Sequence, residues 1–381
     1  MNVRPLTVWD IEAFYKGYAG HPFLDLGDLI EFEKTAGTVS TGIGTAVYNK
    51  VYGAYVWSQL NQEANAFGLL PKTTWVRSGW RVKTAFATSD EDIGITETGT
   101  LPSAVYPTVT TVYATPKTEA MTFEVSDITE QLANVSEDDI WGSANQLRAE
   151  SGVEFAKRIN QQLLKDCDTL ASNRLESIDR VTASSAYITA VGYTAGDEDI
   201  YGIDRSANSW ADGTCLHNSG TDRDITATLI RDLLRTCKEA GANTTVLLTG
   251  YDTIAKIQGL YNNMVRYLPM QDAKVTMGLN GIESAKGYDV GITVSAVEGI
   301  PLIGAVDTPK DTISRLYALD TSDPEGYGLP RLAISVLRPS EYFETRDPFV
   351  VGKFAIKGVY RFVGELVARF LKAQGSLRDL K

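Results

Sequence analysis

Between residues 46 and 67, Tyr48, Val51, Tyr52, Tyr55, Val56 and Leu60 recur at three- and four-residue spacing, the period of a helix with one buried face. Gly68 and Pro71 end it. The period then falls to two. Trp80, Val82, Thr84 and Phe86 alternate with Arg81, Lys83 and Ala85, and Met121, Phe123 and Val125 alternate with Thr122 and Glu124, so both stretches predict strands. Between them a polar, turn-rich segment runs from Ser89 through Asp90, Glu91, Asp92, Gly94, Gly99 and Pro102 to the β-branched run Pro107 to Tyr113. This describes an extended hairpin. With so little apolar content it must lean on something else to be stable.

A long helical stripe follows: Ile140, Ala144, Leu147, Phe155, Ile159, Leu163, Cys167 and Leu170, with Ser136 and Asp139 ahead of it as a variant capping box. The stripe predicts one helix of about 31 residues, roughly 45 Å long. Residues 173 to 224 are rich in Ser, Thr, Gly, Asp and Asn, and read as an inserted, loop-rich excursion. Regular pattern then returns. Helices are predicted from about Thr226 to Lys238 and from Tyr251 to Tyr261. Strands are predicted at 245–249, 274–277, 288–295, 301–306, 314–319 and 331–337. Helices on a mixed sheet with few long α/β repeats indicate an α+β chain. The first 43 residues scatter Trp9, Phe14, Tyr15, Tyr18, Phe23 and Leu24 among Gly, Pro, Ser and Thr, which suits an arm lying along another surface better than a separate core.

Composition narrows the function classes. The chain has 381 residues and 43% hydrophobic content, enough to bury a substantial core, and a formal net charge of −12, which disfavours gripping DNA by counterion release. Cys167, Cys215 and Cys237 stand far apart, so free buried thiols are expected rather than a disulfide framework or a zinc ribbon. No apolar stretch approaches the roughly 20 residues that span a bilayer, and no secretory leader is expected.

Recognisable catalytic chemistry is also missing. His21 and His217 are the only histidines, and the motifs of a phosphate loop, a dinucleotide fold and a nucleophile elbow are all absent. Cys215-Leu-His217 lacks the further ligands of a tetrahedral metal site. The acidic clusters 90–92, 137–139 and 197–199 lack EF-hand spacing and read as solvated loops or helix starts. No catalytic, cofactor-binding or metal residue is assigned.

The order of these parts resembles the tailed-virus major capsid proteins with the Hong Kong 97-like fold. The stretch Gly94 to Pro102, with Val109 to Tyr113 and Met121 to Ser126, looks like the family's extended loop returning into its peripheral domain. Residues 128–170 fall where the family has its spine helix. Gly299-Ile-Pro-Leu302 and Ser314 to Asp320 look like strands of its axial domain, and Tyr360 to Leu377 resembles its closing segment. The resemblance implies an α+β fold divided into an N-terminal arm and helix (1–74), an extended loop hairpin (75–120), a peripheral domain with spine helix and insertion (121–225), an axial domain (226–335) and closing strands (336–381).

It further implies a structural protein, not an enzyme, that self-assembles into pentamers and hexamers. These would form an icosahedral shell around double-stranded DNA, without sequence-specific binding and without a membrane. The implied partners are other copies of the chain, a separate scaffolding protein, a portal and a decoration protein. The location is the virion capsid, assembled in host cytoplasm. Candidate contacts between subunits are Trp80, Arg81 and Lys83 on the hairpin, Asp90, Glu91 and Asp92 at its tip, and Arg148, Lys157 and Arg158 on the spine helix. No lysine near the hairpin matches a cross-linking motif. Two alternatives stand beside this reading: an encapsulin-like nanocompartment shell, and an α+β enzyme with an unrecognised carboxylate site.

Overall fold

A computed structural model describes residues 63–86, 96–99, 106–135, 143–168, 173–193, 199–261, 273–275, 290–292 and 295–381. The expected arm, most of the helix at 46–67, the capping box at Ser136 and Asp139, and Asp90, Glu91 and Asp92 lie outside these residues. The chain divides into two compact units, one formed by Met1–Gln59, Phe123–Ala149 and Glu344–Gly358, the other by Leu60–Thr122, Glu150–Phe343 and Val359–Lys381.

In the larger unit, a short helix α1 (Asn65–Leu69) precedes β1 (Lys72–Thr74), the antiparallel hairpin β2 (Gly79–Phe86) and β3 (Pro107–Tyr113), and the first part of β4 (Lys117–Ser126), whose residues from Phe123 on belong to the smaller unit. A four-stranded sheet has the order β1-β12-β13-β4, where β12 is Leu332–Thr345 and β13 is Ala355–Ala368. Along β13 burial alternates, and the period of two turns Tyr360 and Phe362 inward. Phe67 meets Phe362 edge-on at 6.0 Å. The long helix α3 (Ala144–Leu163) stacks its Phe155 on Tyr360 at 6.0 Å.

α3 has 20 residues, about 30 Å, rather than the 31 expected. Its buried stripe of Phe155, Ile159 and Leu163 continues in spacing to Cys167, which is why the periodicity overran the helix. Beyond Leu163 the backbone is held elsewhere, and the Cys167 N–H donates to the buried carboxylate of Asp179 at 2.9 Å.

The second sheet has six strands in the order β5-β14-β11-β6-β10-β9. These are β5 (Thr214–Leu216), β6 (Val246–Thr249), β9 (Ser295–Val297), β10 (Ile300–Gly304), β11 (Leu316–Leu319) and β14 (Gly375–Leu377). β6 and β11 are buried at every position, as expected for continuous apolar strands in a covered sheet. β9 and β10 are joined by Glu298 and Gly299 at φ 52° and 83°, the paired left-handed conformation of a tight hairpin turn. Helix α6 (Ala227–Glu239), capped by Thr226, packs Ile230, Leu233 and Cys237 against this sheet, and α7 (Tyr251–Tyr261) adds Ile257. The helix approaches so closely that a Cβ on Gly375 would stand 2.5 Å from the Cys237 sulfur. A separate two-stranded ribbon pairs β7 (Ala273–Val275) with β8 (Val290–Ile292).

Residues 173–224 depart from the expected excursion. They supply α4 (Ile178–Thr182), α5 (Ser185–Val191) and β5, which lies parallel to β14 within the six-stranded sheet. Ser177, Asp179, Arg180, Val181, Thr182 and Tyr187 are all buried. The polar composition that suggested loops is consumed internally: Ser177 and Ser184 cap the two helices.

The smaller unit is built on Val125, Ala144 and Ile356, with Phe123 and Leu147 packed alongside. Helix α2 (Asp127–Val135) places Glu130 so that its carboxylate accepts the Ala144 N–H at 2.6 Å, satisfying a donor at the start of α3. A one-turn helix, α8 (Pro348–Val351), is capped by Asp347 and closed by Gly352 at φ 78°.

Candidate assembly interface

The register of the hairpin sorts its side chains into two faces. Trp80 pairs with Val112 and Val82 with Thr110 on one face. Gly79 pairs with Tyr113, Arg81 with Thr111 and Lys83 with Val109 on the other. The first face is held by its own chain: Val112 and the neighbouring Ala114 are buried, and the Trp80 ring meets Tyr201 edge-on at 5.3 Å. The base of the hairpin thus has the support that the sequence did not reveal, and Trp80 is occupied within the subunit. The second face is open. Arg81 and Lys83 are exposed beside Val109 (50% exposed) and Tyr113 (65%), and Arg81, Lys83, Val109 and Thr111 line an open groove. Tyr113 lies across Gly79, where a Cβ would come within 2.9 Å of its ring. Basic heads over apolar contact area suit an acidic, partly apolar partner surface.

The spine-helix candidates behave differently. Lys157 and Arg158 both reach Glu154 of their own helix, at 3.9 and 3.2 Å. Arg148 is exposed on α3. Sequence reasoning missed a second surface, on the smaller unit, where Ile128, Phe349, Val350 and Phe354 are 69%, 97%, 72% and 80% exposed. Pro348-Phe-Val-Val351 was the available signal: four apolar residues directly after the cap Asp347, in a helix too short to bury them.

A cluster of ionisable groups lies in the core. Asp179 is fully buried; its Oδ2 accepts from Arg315 at 2.9 Å, the Cys167 N–H at 2.9 Å and Arg378 at 3.2 Å, and its Oδ1 accepts from Tyr317 Oη at 2.7 Å and lies 3.0 Å from Arg378. Arg315 also reaches Asp166 and Asp311, and Arg378 lies over the Tyr187 ring at 4.5 Å. Burial alone would raise the Asp179 pKa, but the guanidiniums of Arg378 and Arg315 outweigh it and hold the carboxyl well below the usual range. Asp166, Cys167 and Asp179 place ligand atoms within 4.8 Å of one another. The donor set does not fit a cation, because two arginines already neutralise Asp179 and burial pushes the Cys167 thiol up. Its chemistry is that of an ionic core tying α4, β11 and the stretch after β14 together.

Comparison with known proteins decides what kind of molecule this is. A model of the SU10 major capsid protein family matches residues 80–298, more than half of the chain. The chain belongs to that family. It is a major capsid protein, a structural component of the virion that forms a shell with other copies of itself, and not an enzyme. Among solved structures it is similar to the capsid asymmetric unit of cyanophage A-1(L), with a TM-score of 0.59 and 17% identity over 86% of this chain and 95% of that one. The capsid of the native GTA particle gives a TM-score of 0.51 and 14% identity over 85% and 92%. The holo-SrpI encapsulin complex from Synechococcus elongatus PCC 7942 gives 0.49 and 11% over 88% and 95%. No match was found among curated proteins. The α+β capsid protein has the Hong Kong 97-like fold that its order of elements resembled.

Proposed function

We propose that the chain assembles into pentamers and hexamers that close an icosahedral shell around double-stranded DNA, with assembly taking place in the host cytoplasm. Family membership is the observation that carries this reading. The open face of the β2–β3 hairpin and the apolar group Ile128, Phe349, Val350 and Phe354 are the surfaces that neighbouring subunits cover. Arg81 and Lys83 set the register of the hairpin contact, Asp90, Glu91 and Asp92 extend it at the tip, and Arg148, Lys157 and Arg158 meet acidic groups from neighbours. Single exposed ion pairs contribute about 0 to 1 kcal/mol, so repeated apolar contact supplies most of the cohesion. A net charge of −12 suits a wall that encloses nucleic acid without gripping it. A separate scaffolding protein, a portal and a decoration protein complete the particle.

Electron microscopy of the purified protein, alone and with a co-expressed scaffold candidate, tests this together with its mass in solution. Rings of five and six copies or closed shells are expected. A compact monomer under every condition would overturn the proposal. Shells that carry protein cargo in place of nucleic acid would assign it to nanocompartments instead.

A further inference from the structure

The stretch 175–177, between α3 and α4, is fastened to three elements at once. The Leu175 N–H donates to Gln162 Oε1 of α3 at 3.2 Å, and Gln162 in turn donates to Glu119 of β4 at 2.6 Å. Ser177 caps α4 by accepting the Arg180 N–H at 3.2 Å. The third fastening is Glu365 of β13, 3% exposed, whose Oε1 accepts the Glu176 N–H at 2.7 Å and the Leu366 N–H at 2.9 Å. The ionisable groups that act on Glu365 are Glu176 on the stretch itself, Lys117 on β4 and Tyr201 from the segment preceding β5, while Arg180 on α4 and Glu119 on β4 flank the same stretch through Glu176 and Gln162. Arg180 is committed to the Glu176 carboxylate and to the Asp199 carbonyl. Tyr201 is engaged with the backbone of Leu366 and Ala368.

A second negative charge is therefore unwelcome at this seam. Burial is the main effect and the neighbouring Glu176 adds to it, while the two N–H donors and Lys117 oppose; together they push the Glu365 carboxyl up to about 8.

We propose that Glu365 is a proton-operated latch, seating residues 175–177 on β13 while it is protonated and loosening them as it ionises. The latch is a property of the single chain and does not depend on shell assembly. Its sign is fixed by linkage. A carboxyl whose folded pKa lies above its ordinary 4.5 contributes stability that is complete below that value and is lost as pH rises to about 8.

The test compares the full chain with Glu365→Gln by urea unfolding between about pH 5 and pH 9. Other groups titrate in both proteins, so the quantity read is the ratio of the two unfolding constants. It is expected to change by about tenfold per pH unit up to about pH 8 and then level off. A ratio independent of pH overturns the latch. Should Glu365→Gln fail to fold, Glu176→Gln removes the neighbouring charge and is expected to move the levelling point to lower pH; an unmoved levelling point overturns it equally. Trypsin cleavage after Arg174 reports the stretch directly. It is expected to accelerate several-fold above pH 8 relative to Glu365→Gln, and equal acceleration in both proteins would show that the stretch is not what the proton holds.

Discussion

Arg81 and Arg378 are the same side chain in opposite surroundings. Arg81 stands in solvent on the open hairpin face, whereas Arg378 is completely buried against Asp179, stacked over Tyr187 and bonded to the Asp179 carbonyl. Water compensates the first charge, and only the protein compensates the second. Charges in the core therefore hold the subunit together, while charges on the hairpin are free to be used between subunits.

Breaking the core should have the largest effect. Asp179→Asn leaves Arg378 buried without its carboxylate and Arg315 with only Asp166 and Asp311, and is expected to cost about 3–5 kcal/mol, read by urea unfolding at neutral pH. Because the folded carboxyl titrates below its ordinary 3.8, this penalty is complete above that value and shrinks as pH falls through the folded value. A penalty below about 1 kcal/mol would mean that the cluster is hydrated. Tyr317→Phe removes one donor from the same carboxylate and should cost about 1–3 kcal/mol.

On the hairpin, Arg81→Glu combined with Lys83→Glu should leave the stability of the subunit to urea unchanged within about 0.5 kcal/mol, yet abolish particle formation seen by electron microscopy. Normal particles from this double variant would remove the hairpin from the list of contacts. Arg158→Ala is the smallest change. It loses an exposed pair with Glu154 and should shift stability by no more than about 0.5 kcal/mol.

Legibility in the sequence follows the range of the interactions. The helix Tyr251–Tyr261 and the strand ending at Thr249 were readable because period and punctuation are local. The helix from about Thr226 was equally plain, and Thr226 proves to be its cap. Residues 173–224 misled because Ser177, Asp179 and Ser184 have the composition of a loop, but the two serines cap helices and Asp179 is an ionic centre whose arginine partners lie far along the chain. Nothing local links Asp179 to Arg378. The hairpin was legible as strands, and Arg81 and Lys83 as its outward residues, but its footing on Tyr201 was not. The exposed Phe349 and Phe354 carried no periodic signal at all.

The position of β14 bears on how the subunit reaches its native state. Among the described residues β5 has no neighbour in its sheet other than β14, which itself lies against β11. Until residues 375–377 arrive, β11 presents a bare edge and β5 has nowhere to dock. Such non-local closure is slow, and an exposed strand edge invites pairing with another chain. In a cell filling with copies of one capsid protein, the yield of usable subunits becomes a race between threading this strand home and lending that edge to a stranger.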